Sequence, residues 1–138
     1  MRTALSFDDV LLIPRYSEVY SRKDIKTKQS LNNVGVFELP IISSPMDTIT
    51  GENMAIAMGR SGAVGIVHRY NSVQEQTKLV MNITSAGHNV GAAIGIGDDC
   101  VERSLSLARA GVSFLCIDVA HGHHSKVRHA LEALRNTI

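Results

Sequence analysis

The sequence predicts an α/β fold of parallel βα units, about four of them, after an irregular N-terminal arm. Three observations carry that expectation. Short strands that are apolar on both faces alternate with amphipathic helical stretches, which is how a parallel sheet under helical cover reads. Four of those strands run into residues able to hold a ligand: Ser43-Ser44-Pro45-Met46-Asp47-Thr48, His68-Arg69, Gly95-Ile96-Gly97 and Asp118-Val119-Ala120-His121-Gly122-His123. In a (β/α) barrel, ligand groups sit at the C-terminal strand ends, so this resembles half of a binding rim. Finally, 138 residues fall short of the roughly 200 to 250 that a closed eight-unit barrel takes.

The elements follow in order. Pro40-Ile41-Ile42-Ser43 is a short apolar strand, and Glu52 to Met58 is rich in helix formers. Ser61-Gly62 leads into the strand Ala63 to Val67. Ser72-Val73-Gln74-Glu75 has the form of a capping box, opening a helix whose inward stripe is Val73, Thr77, Val80 and Ile83. Ala86-Gly87 closes that helix, the glycine accepting a left-handed conformation. Val90 to Ile94 is the third strand. Asp99-Cys100-Val101-Glu102 repeats the capping-box spacing and predicts a helix with Val101, Leu105 and Ala108 inward. Ala110-Gly111 ends it, and Val112 to Val119 is the fourth strand. Ser125 is the expected cap of a last helix with the stripe Val127, Leu131, Leu134 and Ile138. Right-handed crossovers are the rule for such units. Pattern alone does not separate an open flavodoxin-like sheet from part of a barrel. Nothing resembling a linker interrupts the chain, so 1–138 reads as one domain.

Composition narrows the function. A hydrophobic fraction of 44% supplies a core, and a formal charge of +1 implies no strong field. The basic cluster from Arg22 to Lys28 reads as solvated surface, and 4% aromatics argue against nucleic-acid binding. The first residues hold Arg2, Asp8 and Asp9 with no apolar signal core, and no run approaches membrane-spanning length, so a cytoplasmic protein is expected. Cys100 and Cys116 offer neither a disulfide framework nor a CxxC pattern. Cys116 reads as a small buried hydrophobe, and Cys100 as an inert thiol in the first turn of a helix.

Two motifs invite over-reading. Gly91 to Gly97 is glycine-rich but lacks GxGxxG in a strand–turn–helix setting, so a Rossmann site is not expected. His121, His123 and His124 lack cysteine or carboxylate partners at zinc-ligand spacing, so no metal site is expected. His121 is expected to orient the loop beside Asp118, with His124 exposed.

Several of these segments resemble the IMP dehydrogenases and GMP reductases. Phe7-Asp8-Asp9-Val10-Leu11-Leu12-Ile13-Pro14-Arg15 is similar to the family's opening segment, and Ile42 to Thr48 to its first strand loop. Gly65-Ile66-Val67-His68-Arg69 and Ile117 to His123 resemble the loops after its second and fourth strands. The likeness runs through essentially the whole chain in order. It implies the first half of a TIM (β/α)8 barrel.

What the resemblance implies for chemistry is specific. In the dehydrogenase a cysteine adds to C2 of the IMP base, hydride passes to NAD, and water hydrolyses the thioimidate. The reductase uses NADPH and expels ammonia from GMP. By resemblance, Asp118, Val119 and Ala120 contact the nicotinamide half of the cofactor, Arg69 touches the cofactor, and Ser21-Arg22 reaches a cofactor on the adjacent subunit. Ser44 and Met46 touch the purine nucleotide. A carboxylate at a strand end suits ribose hydroxyls, and a thioether packs well on a base. The family's nucleophilic cysteine, most of its phosphate ligands, its monovalent cation site and its flap lie further along than this chain runs, so no catalytic residue is expected here. A regulatory CBS pair between the second helix and third strand has no counterpart, since only Met81 to Asn89 occupy that junction. The expected reading is therefore the N-terminal part of an IMP dehydrogenase using NAD, inactive without a C-terminal half. The alternatives are a GMP reductase using NADP, or a self-associating half-barrel with no activity. Ser-Ser-Pro-Met-Asp-Thr and His-Gly-His favour the dehydrogenase, and the lack of a CBS pair favours the reductase.

Overall fold

A computed structural model describes residues 2–32 and 34–138. The domain expected over 1–138 thus includes Met1 and Asn33, which lie outside the described residues. The central feature is a four-stranded parallel sheet made of β3 (Ile42–Ser43), β4 (Val64–Val67), β5 (Val90–Ile94) and β6 (Phe114–Ile117). The strands lie in sequence order, and a helix follows each one: α1 (Glu52–Arg60), α2 (Val73–Ser85), α3 (Cys100–Arg109) and α4 (Ser125–Arg135). Consecutive neighbours without a switch point are the arrangement of successive barrel units. An open sheet binding in a crevice would need the order to reverse.

The inner strands explain the core. β4 and β5 are buried along their whole length. Side chains alternate across a strand, so Val90, Ala92 and Ile94 share the helix side, where they cluster with Ala55, Val80, Ile83, Leu107 and Leu134. Gly91 faces the other way, and a Cβ there would meet the Phe114 ring at 2.5 Å. That glycine makes room for a ring of the neighbouring strand, which is what the glycine-rich stretch does at its start. Gly65 serves the helix side similarly: a Cβ would sit 3.0 Å from the Ala55 backbone, so α1 packs directly on β4.

Helix termini follow the sequence at three ends and depart from it at two. Ser72 and Glu75 form the expected capping box, with Ser72 Oγ accepting from Glu75 N at 3.1 Å and Glu75 Oε2 accepting from Ser72 N at 2.9 Å. Gly87 and Gly111 take the expected left-handed conformations, at φ of 82° and 85°. Asp99 makes no capping hydrogen bond; its carboxylate accepts instead from Arg103 Nε at 2.8 Å. The cap of α4 is His124, whose Nδ1 accepts from Lys126 N at 3.0 Å, and Ser125 is already helical.

The buried faces also differ from the expected stripes. α3 buries Cys100, Arg103, Ser104 and Leu107, while Ala108 is exposed. Polarity misleads there because Arg103 and Ser104 find hydrogen-bond partners inside, so they are cheap to bury. α4 buries Ala130 and Leu134, but Leu131 and Ile138 are exposed, because no further element lies against that side among the described residues. For the same reason β6 is half-buried throughout, and Cys116 is half-buried rather than enclosed. Its ladder is shorter than expected, although Ser113 N and Asp118 N continue it with bonds to Val90 O and Ile94 O, both of 2.9 Å.

The arm is not wholly irregular. Two 3-10 turns, Phe7–Asp9 and Arg22–Asp24, precede an antiparallel hairpin of β1 (Gln29–Leu31) and β2 (Gly35–Phe37). Phe37 is buried, and Leu39 N donates to Gly62 O at 3.0 Å, which ties the hairpin's exit to the turn before β4. Everything described from residue 2 to 32 is exposed.

Candidate functional site

The C-terminal ends of the four parallel strands place Ser43, His68, Gly95 and Asp118 in a row. Asp118 directly follows β6, held by its amide to Ile94 O. Arg69 lies two residues beyond β4, and its Nε stands 3.4 Å from Asp118 Oδ2. The guanidinium thus crosses the end of β5 at Gly95, where a Cβ would come within 3.4 Å of Nη1. Both side chains are 31% exposed. An ion pair this accessible contributes about 1 kcal/mol or less, so a ligand bonding to the carboxylate displaces it readily. Arg69 also lies over the Tyr70 ring, its Cζ 5.3 Å from the centroid. Val119 is half-buried and Ala120 exposed in the loop that continues from Asp118.

Unmet hydrogen bonding concentrates in one loop. Among the described residues, the buried side-chain polar atoms without a hydrogen-bond partner are Arg69 Nε and Asn71 Oδ1. Groups left unsatisfied in an otherwise bonded structure call for an explanation, and a polar ligand is one.

The first strand loop is organised by a residue that the sequence reading did not single out. Thr50 is fully buried; its Oγ1 donates to Ser44 O and lies 2.9 Å from Ser43 Oγ, while its carbonyl accepts from His68 N at 3.3 Å. That one side chain fixes the turn bearing Ser44 and Met46 and links it to the second loop. Ser44 and Met46 are both exposed on the turn, and Met46 O accepts the amides of Ile49 and Thr50. The only signal in sequence was a threonine beside a glycine just before a helix.

Ser21 and Arg22 stand apart. Ser21 Oγ caps the short turn by accepting from Lys23 N at 3.2 Å, and Arg22 is exposed. Among the described residues, no hydrogen bond or ion pair joins them to Asp118 or Arg69. The histidines after Asp118 are exposed, with His121 edge-on to His124 at 6.3 Å. No hydrogen bond between His121 and Asp118 occurs among the described residues, so the expected orienting role of His121 lacks a contact. No group of three His, Cys, Asp or Glu converges to hold a metal ion among the described residues.

Neither cysteine is poised as a nucleophile. Burial pushes the Cys100 thiol up, helped by the Asp99 charge, and burial with the Asp118 charge does the same to Cys116. A thiolate is the reactive species, so both environments disfavour it. No helix among the described residues is long and apolar enough to cross a membrane.

Comparison with known proteins agrees with this geometry. A sequence profile described as the IMP dehydrogenase / GMP reductase domain matches residues 4–138. The chain is 30% identical over 185 residues to the inosine-5'-monophosphate dehydrogenase of Borreliella burgdorferi, covering 97% of this chain and 45% of that protein. Against the enzyme of the same name from Nitrosopumilus maritimus, identity is 43% over 88 residues, covering 62% of this chain and 18% of the relative. A GMP reductase of Leishmania donovani is 42% identical over 82 residues, 59% of this chain and 17% of that one. The chain thus spans less than half the length of these relatives. A profile match over nearly every residue, on a row of parallel strands with Asp118 and Arg69 at their ends, places this chain in the IMP dehydrogenase / GMP reductase family.

Proposed function

We propose that the chain is the N-terminal part of a purine-nucleotide oxidoreductase of the IMP dehydrogenase kind, converting IMP and NAD to XMP and NADH, and that its strand-end rim holds the cofactor. The observation that carries this is the Asp118–Arg69 pair across Gly95, at the strand ends where barrel enzymes bind ligands. The residues fit a nicotinamide nucleotide: a part-exposed carboxylate accepts from ribose hydroxyls, and the Arg69 guanidinium facing it offers donors to a polar ligand. When bound, the cofactor supplies the hydride chemistry. The protein's own part is to orient it through Asp118, Val119, Ala120 and Arg69, while Ser44 and Met46 receive the purine nucleotide. Ser21-Arg22 serve a cofactor on a neighbouring subunit.

The domain is a partial barrel of about four βα units without a CBS insertion. Ala86 to Asn89 alone join α2 to β5. The exposed apolar side of α4 and the open edges at β3 and β6 suit a C-terminal half-barrel or a second copy, so a dimer or larger species is expected by sedimentation. A cooperatively unfolding monomer at low concentration would count against that. The monovalent cation belongs with the complementary half. A cytoplasmic setting belongs to the same proposal and accords with two cysteines that are not joined in a disulfide.

The test is IMP-dependent NADH formation by the chain alone, then with NADPH and GMP. No turnover is expected, because the family's nucleophile loop has no counterpart among the described residues and burial raises both thiols. Turnover that survives replacing Cys100 and Cys116 together would overturn the mechanism. Loss of turnover with Cys100→Ser alone would make Cys100 the nucleophile. The GMP reductase reading is kept by the similarity to the Leishmania enzyme, and binding of NADPH in preference to NAD would favour it.

A further inference from the structure

The interface between α2 and α3 holds two polar side chains where an apolar pair would pack more simply. Gln76 is fully buried and Arg103 is 7% exposed. Burying an amide and a guanidinium is costly unless their bonding capacity is met. It is met in a directed way. Gln76 Nε2 donates to His68 O at 3.0 Å and to Ala93 O at 2.8 Å, with Val67 O at 3.4 Å. Gln76 Oε1 accepts from Arg103 Nη1 at 2.9 Å. Arg103 Nη2 donates to Asn71 O at 3.1 Å, and its Nε to Asp99 Oδ2 at 2.8 Å.

The acceptors are the informative part. His68 O and Asn71 O bracket Arg69, one residue before it and two after. Ala93 O lies on β5, whose Ile94 carbonyl holds the amide of Asp118. One buried network therefore grips the backbone on both sides of Arg69 and the strand that sets the height of Asp118. Within the loop so gripped, Arg69 Nε faces the Asp118 carboxylate at 3.4 Å, and Asn71 Oδ1 has no hydrogen-bond partner among the described residues. The backbone is fixed, and the Arg69 side chain is aimed at Asp118.

We propose that Gln76 and Arg103 are positioning residues of the rim: they clamp the His68–Asn71 loop so that the Arg69 guanidinium faces Asp118. Neither touches a ligand; both act through the backbone of the loop. The purpose rests on the reading of Asp118 and Arg69 as cofactor residues, whereas the clamp itself does not.

Amide hydrogen exchange and the Arg69 Nε–H resonance, followed by NMR on the full ligand-free chain, test it. Arg103→Lys keeps the charge and loses the planar fork. Exchange at the His68 and Tyr70 amides, which donate to Thr50 O and His68 Nδ1, is expected to rise about tenfold, with β5 and the hairpin amides changing by less than about twofold. The Arg69 Nε–H signal should move toward that of free arginine. A second variant, Asp99→Ala, removes the partner of Arg103 Nε at a side chain that is 45% exposed, and is expected to give the same pattern at smaller amplitude. A uniform rise across the sheet, or an unchanged loop in both variants, would overturn the clamp. Titration of wild type with NAD reads the other premise separately: absent shifts at Asp118 would sink the cofactor reading and leave the clamp result standing.

Discussion

Between Val64 and Leu107 the chain encloses most of its apolar side chains, and between Leu5 and Tyr20 it leaves them in water. Val64, Val67, Val80, Ile83, Val90, Ile94 and Leu107 have no accessible surface. Phe7, Leu11, Leu12 and Tyr20 are 94% to 98% exposed. The two regions do not differ in having apolar residues; they differ in having something to pack against. In α2 the apolar positions recur at helical intervals and meet a sheet. In the arm Val10, Leu11, Leu12 and Ile13 are as consecutive as the buried run Val90 to Ile94, but they are exposed, with no sheet or helix over them among the described residues. Hydrophobicity stabilises only where topology supplies a second surface, and the arm finds none among the described residues.

Core truncation should expose the largest gap between the regions. Ile83→Ala is expected to cost about 2 to 5 kcal/mol, by lost burial plus the cavity left behind. Leu12→Ala, on a side chain already in water, should change stability by no more than about 0.5 kcal/mol. Urea denaturation of both variants checks this, and equal losses would mean that the arm is packed in solution.

A smaller effect compares two versions of one device. Ser72 with Glu75 opens a thirteen-residue helix, whereas Ser6 with Asp9 closes a three-residue turn with no buried residue. Ser72→Ala should cost about 1 kcal/mol of global stability, and Ser6→Ala nothing measurable. Hydrogen bonds from the partner serine hold both carboxyls below their usual range. A carboxylate with a lowered folded pKa contributes stability above its unfolded value and loses it as pH falls through the folded one. Acid titration should therefore reveal a Glu75-dependent loss in α2, absent in Glu75→Gln, and no matching global change for Asp9→Asn.

Smaller still is the Lys28–Glu38 pair, 2.6 Å apart but more than half exposed at both ends. A double-mutant cycle should give about 0.2 to 1 kcal/mol, falling with added salt. Thiol chemistry sharpens the contrast in another way. Cys100 and Cys116 should alkylate more slowly than a free cysteine at neutral pH, with half-buried Cys116 ahead of buried Cys100. Rapid labelling of Cys100 would mean that its helix turn opens.

The fold was legible where periodicity and punctuation agree. Ser72, Gly87 and Gly111 marked element ends because their chemistry is local. The repeating unit fits an open sheet and a barrel alike, so strand order was legible only through the family resemblance. The misses share a cause: Arg103, Ser104 and Gln76 look like surface residues until tertiary partners satisfy them, and a helical stripe drawn from apolar residues alone points elsewhere. The exposure of Leu131 and Ile138 was illegible because a stripe says which side wants cover, not whether cover is present. At the site, Asp118 and Arg69 were visible as residues after strands. Their approach across Gly95 was not, since it depends on strands being laid side by side.

The most direct test of the account is a two-dimensional NMR titration of the chain with NAD, wild type against Asp118→Asn. The account predicts shifts confined to Arg69, Gly95 and the Asp118–Ala120 loop as the ligand displaces the Arg69–Asp118 pair, and their loss in the variant. Shifts elsewhere only, or the same shifts without the Asp118 carboxylate, would contradict it.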